Sequence, residues 1–111
     1  MTKPTPPTLR ERNRYIVIEL SSKGRLARED VVKSAWNTIL RFLGEWHAGE
    51  TGFNFMDWDA EKGRGIIRVN HKNVKPVHAA LTLVKEAGKT PVRPRILGVA
   101  GTLKKARTKW M

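Results

Sequence analysis

The order of apolar patterns along the chain constrains its fold more than any other feature of the sequence. Residues 14–20 are rich in β-branched side chains and precede a turn-like SSKG segment, which predicts a first strand. Between residues 27 and 43 apolar side chains recur every four positions before Gly44, which predicts a helix and its end. The chain is therefore expected to begin with a strand and a helix.

The rest of the chain continues this alternation. Residues 53–58 and 65–70 predict two short strands joined by a polar hairpin connection. Apolar spacing over residues 74–84 predicts a second helix, and residues 92–103 predict a last extended segment. The order βαββαβ indicates an α+β fold, ferredoxin-like and RNA-recognition-like, with an antiparallel four-stranded sheet, two helices on one face and a basic C-terminal segment.

The domain organisation follows from length and local composition. A chain of 111 residues has room for one compact domain. We predict a flexible proline-rich leader over residues 1–13, a single domain over 14–103 and a basic tail over 104–111.

The net charge lies entirely in the second half of the chain. The formal net charge is +12. Residues 1–61 contain nine basic and nine acidic residues, whereas residues 62–111 contain thirteen basic residues and a single acidic one, Glu86. An imbalance confined in this way is typical of a surface that binds a polyanion. We therefore expect one face of the domain to contact nucleic-acid phosphates.

Several kinds of chemistry are disfavoured by composition. The chain has no cysteine, which excludes thiol nucleophiles and cysteine-ligated zinc. Its three histidines, His47, His71 and His78, are far apart and match no catalytic or metal-ligand spacing. We predict no catalytic residue, no metal site and no cofactor in this chain. Its apolar runs are far shorter than the roughly 20 residues that span a bilayer, and we expect a cytoplasmic location.

The predicted third strand carries part of the pattern that marks RNA-recognition domains. Residues 62–69, KGRGIIRV, match the basic residue and the glycines of the octamer K/R-G-F/Y-G/A-F-V-x-F/Y. Arg64 and Ile66 stand where that octamer has its base-stacking aromatic residues. Base-by-base recognition on the sheet is therefore not expected.

Both faces of the sheet are expected to be partly apolar. Alternation places Phe53 and Phe55 on one face of the second strand and Met56 and Trp58 on the other. An antiparallel sheet with one solvated face normally alternates more cleanly. We predict that a C-terminal segment of this chain or a partner protein covers the second face. The candidate protein-interface residues are Tyr15, Val17, Trp58 and Ile66.

The candidate RNA-binding residues are mostly cations with few neighbouring acids. Gly98 and Gly101 leave space where backbone or RNA can approach closely, and Thr102 can donate to a phosphate. The loop over residues 21–25 is either an anion-binding turn or a simple connection. The full set of candidates is Lys23, Arg25, Arg64, Arg68, Lys72, Arg93, Arg95, Thr102, Lys104, Lys105, Arg107 and Lys109.

A resemblance to a known family comes from the C-terminal region. Residues 98–106, GVAGTLKKA, resemble the signature of the archaeal ribonuclease P protein component 2 family, in which a G-V-S-G-T-I/L stretch leads into a basic tail. Residues 14–16 and 65–69 also resemble that family, so the similarity spans residues 14–107. Ala100 replaces the commoner serine.

The resemblance implies a non-catalytic protein subunit of ribonuclease P, the ribonucleoprotein that removes the 5′ leader from precursor tRNA. In that family the RNA is the catalyst, and magnesium is expected on the RNA component. The implied partners are ribonuclease P RNA, the TIM-barrel-like protein component 3 and, indirectly, precursor tRNA; a membrane is not among them.

Two alternative functions remain open for the same fold. A freestanding RNA-binding module would read single-stranded RNA on its sheet, but the third strand lacks the aromatic residues for this. A small phosphate-handling enzyme of acylphosphatase-like fold would need closely spaced glycines followed by an arginine, which residues 21–25 do not reproduce.

Overall fold

The computed structural model describes residues 12–111. Most of the leader expected over residues 1–13 lies outside the described residues. The elements are β1 (Asn13–Ser21), α1 (Arg28–Leu43), α2 (Glu45–Gly49), β2 (Asn54–Asp59), β3 (Arg64–Asn70), a 3-10 turn (His71–Asn73), α3 (Val74–Leu81), β4 (Glu86–Ala87), β5 (Thr90–Pro91), β6 (Arg93–Ala100) and α4 (Leu103–Trp110). The predicted βαββαβ order is confirmed, with β6 as its last strand.

The four longer strands form one antiparallel sheet in the order β2-β3-β1-β6. β1 lies between two partners, so that Ile16 is opposite Ile67 of β3 and opposite Val99 of β6. The first and third strands of the βαββαβ order are therefore neighbours in the middle of the sheet. This confirms the predicted ferredoxin-like class.

Helices α1 and α3 cover one face of this sheet. Val31, Ala35 and Ile39 follow one another every four residues on α1 and are buried. α1 ends where the N–H of Gly44 donates to the Leu40 oxygen at 2.8 Å, with Gly44 at a φ of +84°. The side chains that fill the layer between helices and sheet include Ile16, Ile18, Leu20, Ile67, Val69, Val77, Ala80 and Leu81.

Some elements depart from the predicted boundaries. α3 ends at Leu81 rather than near Val84, although the Val84 side chain is still buried. The two-residue strands β4 and β5 then form a small hairpin, and α2 follows directly after Gly44. Repeating apolar patterns do not predict elements as short as these.

The largest departure concerns the last part of the chain. The extended segment predicted for residues 92–103 stops at Ala100, and residues 103–110 form the helix α4. The side chain of Thr102 caps this helix by accepting a hydrogen bond from the Lys105 N–H at 3.2 Å. The segment predicted as a basic tail is therefore mostly an ordered helix.

Candidate nucleic-acid interface

Helix α4 covers the second face of the sheet. Ala106 is fully buried and packs with Val17 of β1, Ile66 of β3 and Ala100 of β6. Of the two coverings that the sequence left open, the structure shows the C-terminal segment of the chain itself. Val17 and Ile66, proposed for a protein interface, have no exposed surface and lie in this second core layer. Tyr15 is half-buried at its margin.

Trp58 corrects another sequence-based expectation. β2 contains a bulge, because Phe55 is opposite Ile67 while Asp57 is opposite the next residue, Ile66. Met56 is the extra residue, so the alternation shifts after it. Trp58 therefore packs in the layer under α1, where its Nε1 donates to the Leu26 oxygen at 3.0 Å. It does not join Met56 on the second face, as strict alternation predicted.

Two arginines connect α4 to the sheet. Arg107 donates to both carboxylate oxygens of Asp57, at 2.5 and 3.0 Å. Arg64 donates through Nε to Glu19 at 3.1 Å and through Nη1 to the Trp110 oxygen at 2.9 Å. Both arginines were predicted to bind RNA, and both already have partners within the chain.

The ion pair under α4 changes the titration of its members. The hydrogen bond from Arg107 has the largest effect and lowers the pKa of Asp57 below its usual 3.8. Burial opposes this effect, and the nearby charges of Arg107 and Arg28 lower the pKa further. The pKa of Arg107 is raised by the same pair. Both groups are therefore charged at neutral pH.

Gly98 makes room for a side chain of α4. A Cβ built on Gly98 would lie 2.1 Å from Cζ2 and 2.5 Å from Cη2 of Trp110. The close approach expected at this glycine is made by the Trp110 ring, not by backbone or RNA. Gly101 differs, since a Cβ there would have no heavy atom within 4 Å. Thr102, a predicted phosphate donor, uses its hydroxyl oxygen as the α4 cap.

Apart from the half-buried Arg68, the other predicted cations remain at the surface in two groups. Arg93 and Arg95 lie on β6 opposite Ser21 and Glu19, at the end of the sheet from which the loop carrying Lys23 and Arg25 begins. The other group consists of α4 residues and Lys72, which follows β3. Besides Thr102 and Arg107, the exposed candidates are Lys23, Arg25, Lys72, Arg93, Arg95, Lys104, Lys105 and Lys109. Arg25 makes a loose ion pair with Glu61 at 3.6 Å, with both side chains largely exposed.

Acidic and basic side chains alternate across the sheet beyond the C-terminal end of α4. Register places Asp59 opposite Arg64, Arg64 opposite Glu19, and Glu19 opposite Arg95. Opposite charges in neighbouring strands stabilise the pairing. Arg95 is the last member and lies on the edge strand β6, so its guanidinium can contact an outside ligand.

The loop after β1 is separate from the N-terminus of α1. α1 begins at Arg28, three residues beyond the loop, and Glu29 and Asp30 occupy its first turn. These carboxylates oppose an anion at the helix N-terminus. Within the loop, the Ser22 hydroxyl donates to the Gly24 oxygen at 2.6 Å. Lys23 and Arg25 are thus individual exposed cations.

Aromatic side chains are exposed near the junction of α1 and α2. Trp46 is 83% exposed and Phe42 is 50% exposed. The sequence left Trp46 and Trp110 open as packing or interface residues. The structure distinguishes them. Trp110 packs on the sheet, whereas most of the Trp46 side chain is exposed to solvent.

No helix within residues 12–111 combines the length and apolar character that crossing a membrane requires. Nor do these described residues contain a cluster of three or more histidine, aspartate or glutamate side chains placed to hold a metal ion.

Comparison with known proteins assigns this chain to a protein family. A family model described as Rpp14/Pop5 family matches residues 14–111, which include α4 and all of the sheet except Asn13, the first residue of β1. The chain belongs to the Rpp14/Pop5 family. This confirms the resemblance found in the C-terminal signature and extends it to the end of the chain.

Individual relatives align over nearly the whole chain. Ribonuclease P protein component 2 of Thermococcus gammatolerans is 36% identical over 96% of this chain and 88% of its own length. The proteins of the same name from Pyrococcus furiosus and Methanocaldococcus jannaschii are 32% and 34% identical, over 98% and 100% of this chain and 91% and 81% of their own lengths.

The fold of this Rpp14/Pop5 family member also occurs in a solved structure. A chain in the cryo-EM structure of yeast ribonuclease MRP matches with a TM-score of 0.68, covering 90% of this chain and 79% of that chain. The two chains are 15% identical, so the match supports the shared fold and no finer detail.

Proposed function

We propose that this chain is a non-catalytic protein subunit of ribonuclease P that binds and stabilises the catalytic RNA for 5′-leader removal from precursor tRNA. The observation that carries the proposal is the full-length similarity to proteins named ribonuclease P protein component 2. The exposed cations support it, because eight of the predicted RNA-binding residues project from the surface. Such a surface suits a polyanion better than a small substrate.

The proposed mechanism is electrostatic. Folding an RNA brings phosphates close together, and lysine or arginine side chains that contact them reduce their repulsion. The α4 residues Lys104, Lys105 and Lys109 are exposed, and α4 contains no acidic residue. They and the β6 pair, Arg93 and Arg95, would contact separate phosphates at two ends of one sheet face. Magnesium would be held by the RNA, which supplies the chemistry of cleavage.

A second surface suits a protein partner. We assign protein component 3, the TIM-barrel-like subunit, to the surface around Phe42 and Trp46. Both aromatic side chains are exposed and belong to the half of the chain with no net charge. Large aromatic residues are enriched at protein interfaces, whereas phosphates are contacted by cations and hydrogen-bond donors. The chain would then join RNA and protein through different surfaces.

Reconstitution of precursor-tRNA cleavage tests the main proposal. Ribonuclease P RNA and the purified subunits are assayed with and without this chain. We expect cleavage at limiting magnesium to fall when the chain is omitted. RNA binding without any stimulation would favour the freestanding RNA-binding module, and hydrolysis of a small phosphate ester by the chain alone would favour the enzyme. Either result would refute the proposal.

Variants can separate the two surfaces. Replacing Lys104 and Lys105 by alanine should weaken RNA binding and reduce the log–log salt slope by up to about 0.9 for each phosphate that the variant no longer neutralises. Replacing Phe42 and Trp46 by serine should instead weaken binding to component 3 and leave binding of RNA by the isolated chain unchanged. Equal effects of both variants on RNA binding would contradict the assignment.

A further inference from the structure

Arg68 occupies a distinctive place on the face that α4 partly covers. Register places it opposite Tyr15 of β1 and opposite Asn54 of β2. Alternation along β3 puts Arg68 on the same face as Ile66 and Arg64. Asn54 is exposed, while Tyr15 and Arg68 are half-buried. The row therefore opens to solvent on its β2 side.

Arg68 differs from Arg64 and Arg107 in its hydrogen bonding. Arg64 and Arg107 bind carboxylates of the chain at 3.1 Å or less. The Nε of Arg68 is sealed from solvent and has no hydrogen-bond partner among residues 12–111. A buried N–H without an acceptor is unusual in proteins. Because this Nε is closed to solvent, an outside ligand can reach the guanidinium only through its terminal Nη nitrogens.

The surroundings of Arg68 favour an anionic acceptor from outside the chain. Its neighbours in register, Tyr15 and Asn54, are uncharged, so no carboxylate competes for the guanidinium in this row. Arginine presents parallel N–H groups that match two oxygens of a phosphate. Tyr15 supplies an aromatic ring and Asn54 supplies an amide, the groups that proteins use to stack on and hydrogen-bond to nucleotides.

We propose that the row Asn54–Arg68–Tyr15 binds one nucleotide of RNA, with its phosphate on the Arg68 guanidinium. The inference rests on the proposed function and deepens it, because it adds a defined nucleotide site to the general cationic surface. The site lies beside α4 and uses the part of the sheet face that the helix leaves accessible. It explains why an arginine is half-buried here without a carboxylate partner among residues 12–111.

Two substitutions of Arg68 test this site in the full-length chain, with ribonuclease P RNA as the probe. Arg68→Lys keeps the charge but removes the paired N–H groups, and Arg68→Gln removes both. We expect both variants to bind the RNA about tenfold or more weakly, since hydrogen bonds between charged groups are the strong ones. Arg41→Gln is the control, because Arg41 is an exposed arginine on α1, a helix on the opposite face of the sheet. It should bind as the wild type does.

A direct spectroscopic measurement complements the binding data. In wild-type protein labelled with ¹⁵N, the Arg68 Nε–H resonance should shift when RNA is added, and the Arg41 resonance should not. This readout needs no substitution, so it remains decisive if a variant unfolds. Thermal melts of each variant separate a folding defect from a specific loss of RNA binding.

The experiments distinguish failure of the nucleotide site from failure of the proposed function. Wild-type affinity in Arg68→Lys and Arg68→Gln, or an unshifted Arg68 resonance in the complex, would overturn the nucleotide site. An equal loss of affinity in Arg41→Gln would also overturn it by showing that charge alone matters. If the wild-type chain neither binds the RNA nor stimulates cleavage, the proposed function itself fails.

Discussion

The contact between Gly98 and Trp110 allows a sharp test of how α4 is held on the sheet. Gly98 is not among the glycines with positive φ, so its backbone conformation suits alanine. The obstacle is the indole ring, because an alanine Cβ would lie 2.1 Å from Cζ2 and 2.5 Å from Cη2 of Trp110. Such distances are far inside van der Waals contact. In Gly98→Ala the Trp110 ring must therefore leave its place.

The expected cost follows from the packing that the ring gives up. Removing a fully buried aromatic side chain costs about 3–5 kcal/mol. Trp110 is half-buried, so displacing its ring should cost about half of this, roughly 2 kcal/mol. Alanine is intrinsically better than glycine inside a strand by about 0.5–1 kcal/mol. We expect Gly98→Ala to lower the free energy of unfolding by about 1–1.5 kcal/mol.

A double-mutant cycle identifies the cause. Urea unfolding followed by far-UV circular dichroism is measured for Gly98→Ala, Trp110→Ala and the double variant. If the ring is the obstacle, Gly98→Ala should cost nothing in the Trp110→Ala background and should stabilise it by up to about 0.5–1 kcal/mol. Gly101→Ala is the matched control, since no heavy atom lies within 4 Å of its Cβ position.

Additivity would refute this reasoning. If the two single substitutions lower the free energy of unfolding independently, Trp110 is not what Gly98 accommodates. A neutral Gly98→Ala in the wild-type background would lead to the same conclusion.

Further predictions concern other contacts of the fold. Because the pKa of Asp57 is lowered when folded, its ion pair should stabilise the wild type over Asp57→Asn at neutral pH. The advantage should disappear as the pH falls below the ordinary value of 3.8, which urea unfolding at several pH values can check. Gly63→Ala should destabilise by about 2 kcal/mol or more, because Gly63 has a φ of +68° and its Cβ would lie 2.6 Å from the Leu20 oxygen; thermal unfolding measures this. Trp46→Ser should change the free energy of unfolding by less than about 0.5 kcal/mol, since the side chain is 83% exposed, and a large loss of stability would contradict its assignment to a partner surface.

The strands and the two longer helices could be predicted because each carries its own apolar period. α1 shows the clearest pattern, and its buried residues are the ones that the period indicates. The bulge in β2 could not be predicted. The sequence NFMDWD places the apolar residues Phe55 and Met56 side by side, which burial of both sheet faces explains without a bulge. Only the register against β3 shows that Met56 is the extra residue. Because of this one extra residue, Trp58 lies on the sheet face covered by α1 and α3 and not on the α4 face that regular alternation predicts.

The high charge of residues 103–110 made helix α4 difficult to predict from the sequence. Its sequence LKKARTKW contains four cations, so the prediction was a basic tail to which no helix was assigned. The apolar residues Leu103, Ala106 and Trp110 do have helical spacing, and Thr102 is a typical N-cap. These signals were available, but periodicity over so short a segment does not show which surface the helix will cover.

The sequence could predict which cations are available for the candidate site, but not which of them form ion pairs within the chain. The sequence indicated which cations are available, and most of them are exposed. It could not indicate that Arg64 and Arg107 bind Glu19 and Asp57, which lie 45 and 50 residues away along the chain. Pairing of this kind depends on strand register and helix placement. The remaining RNA-binding residues stay predictions.

The position of β1 has a consequence for how the molecule opens. β1 has β3 on one side and β6 on the other, the α1–α3 layer above it and α4 below it. Solvent deuterium can therefore reach its backbone amides only after a neighbouring layer or strand has separated. Release of α4 would expose Val17 and Ile66 while the larger core between the sheet and α1–α3 stays packed, so partial opening is expected on the α4 side first.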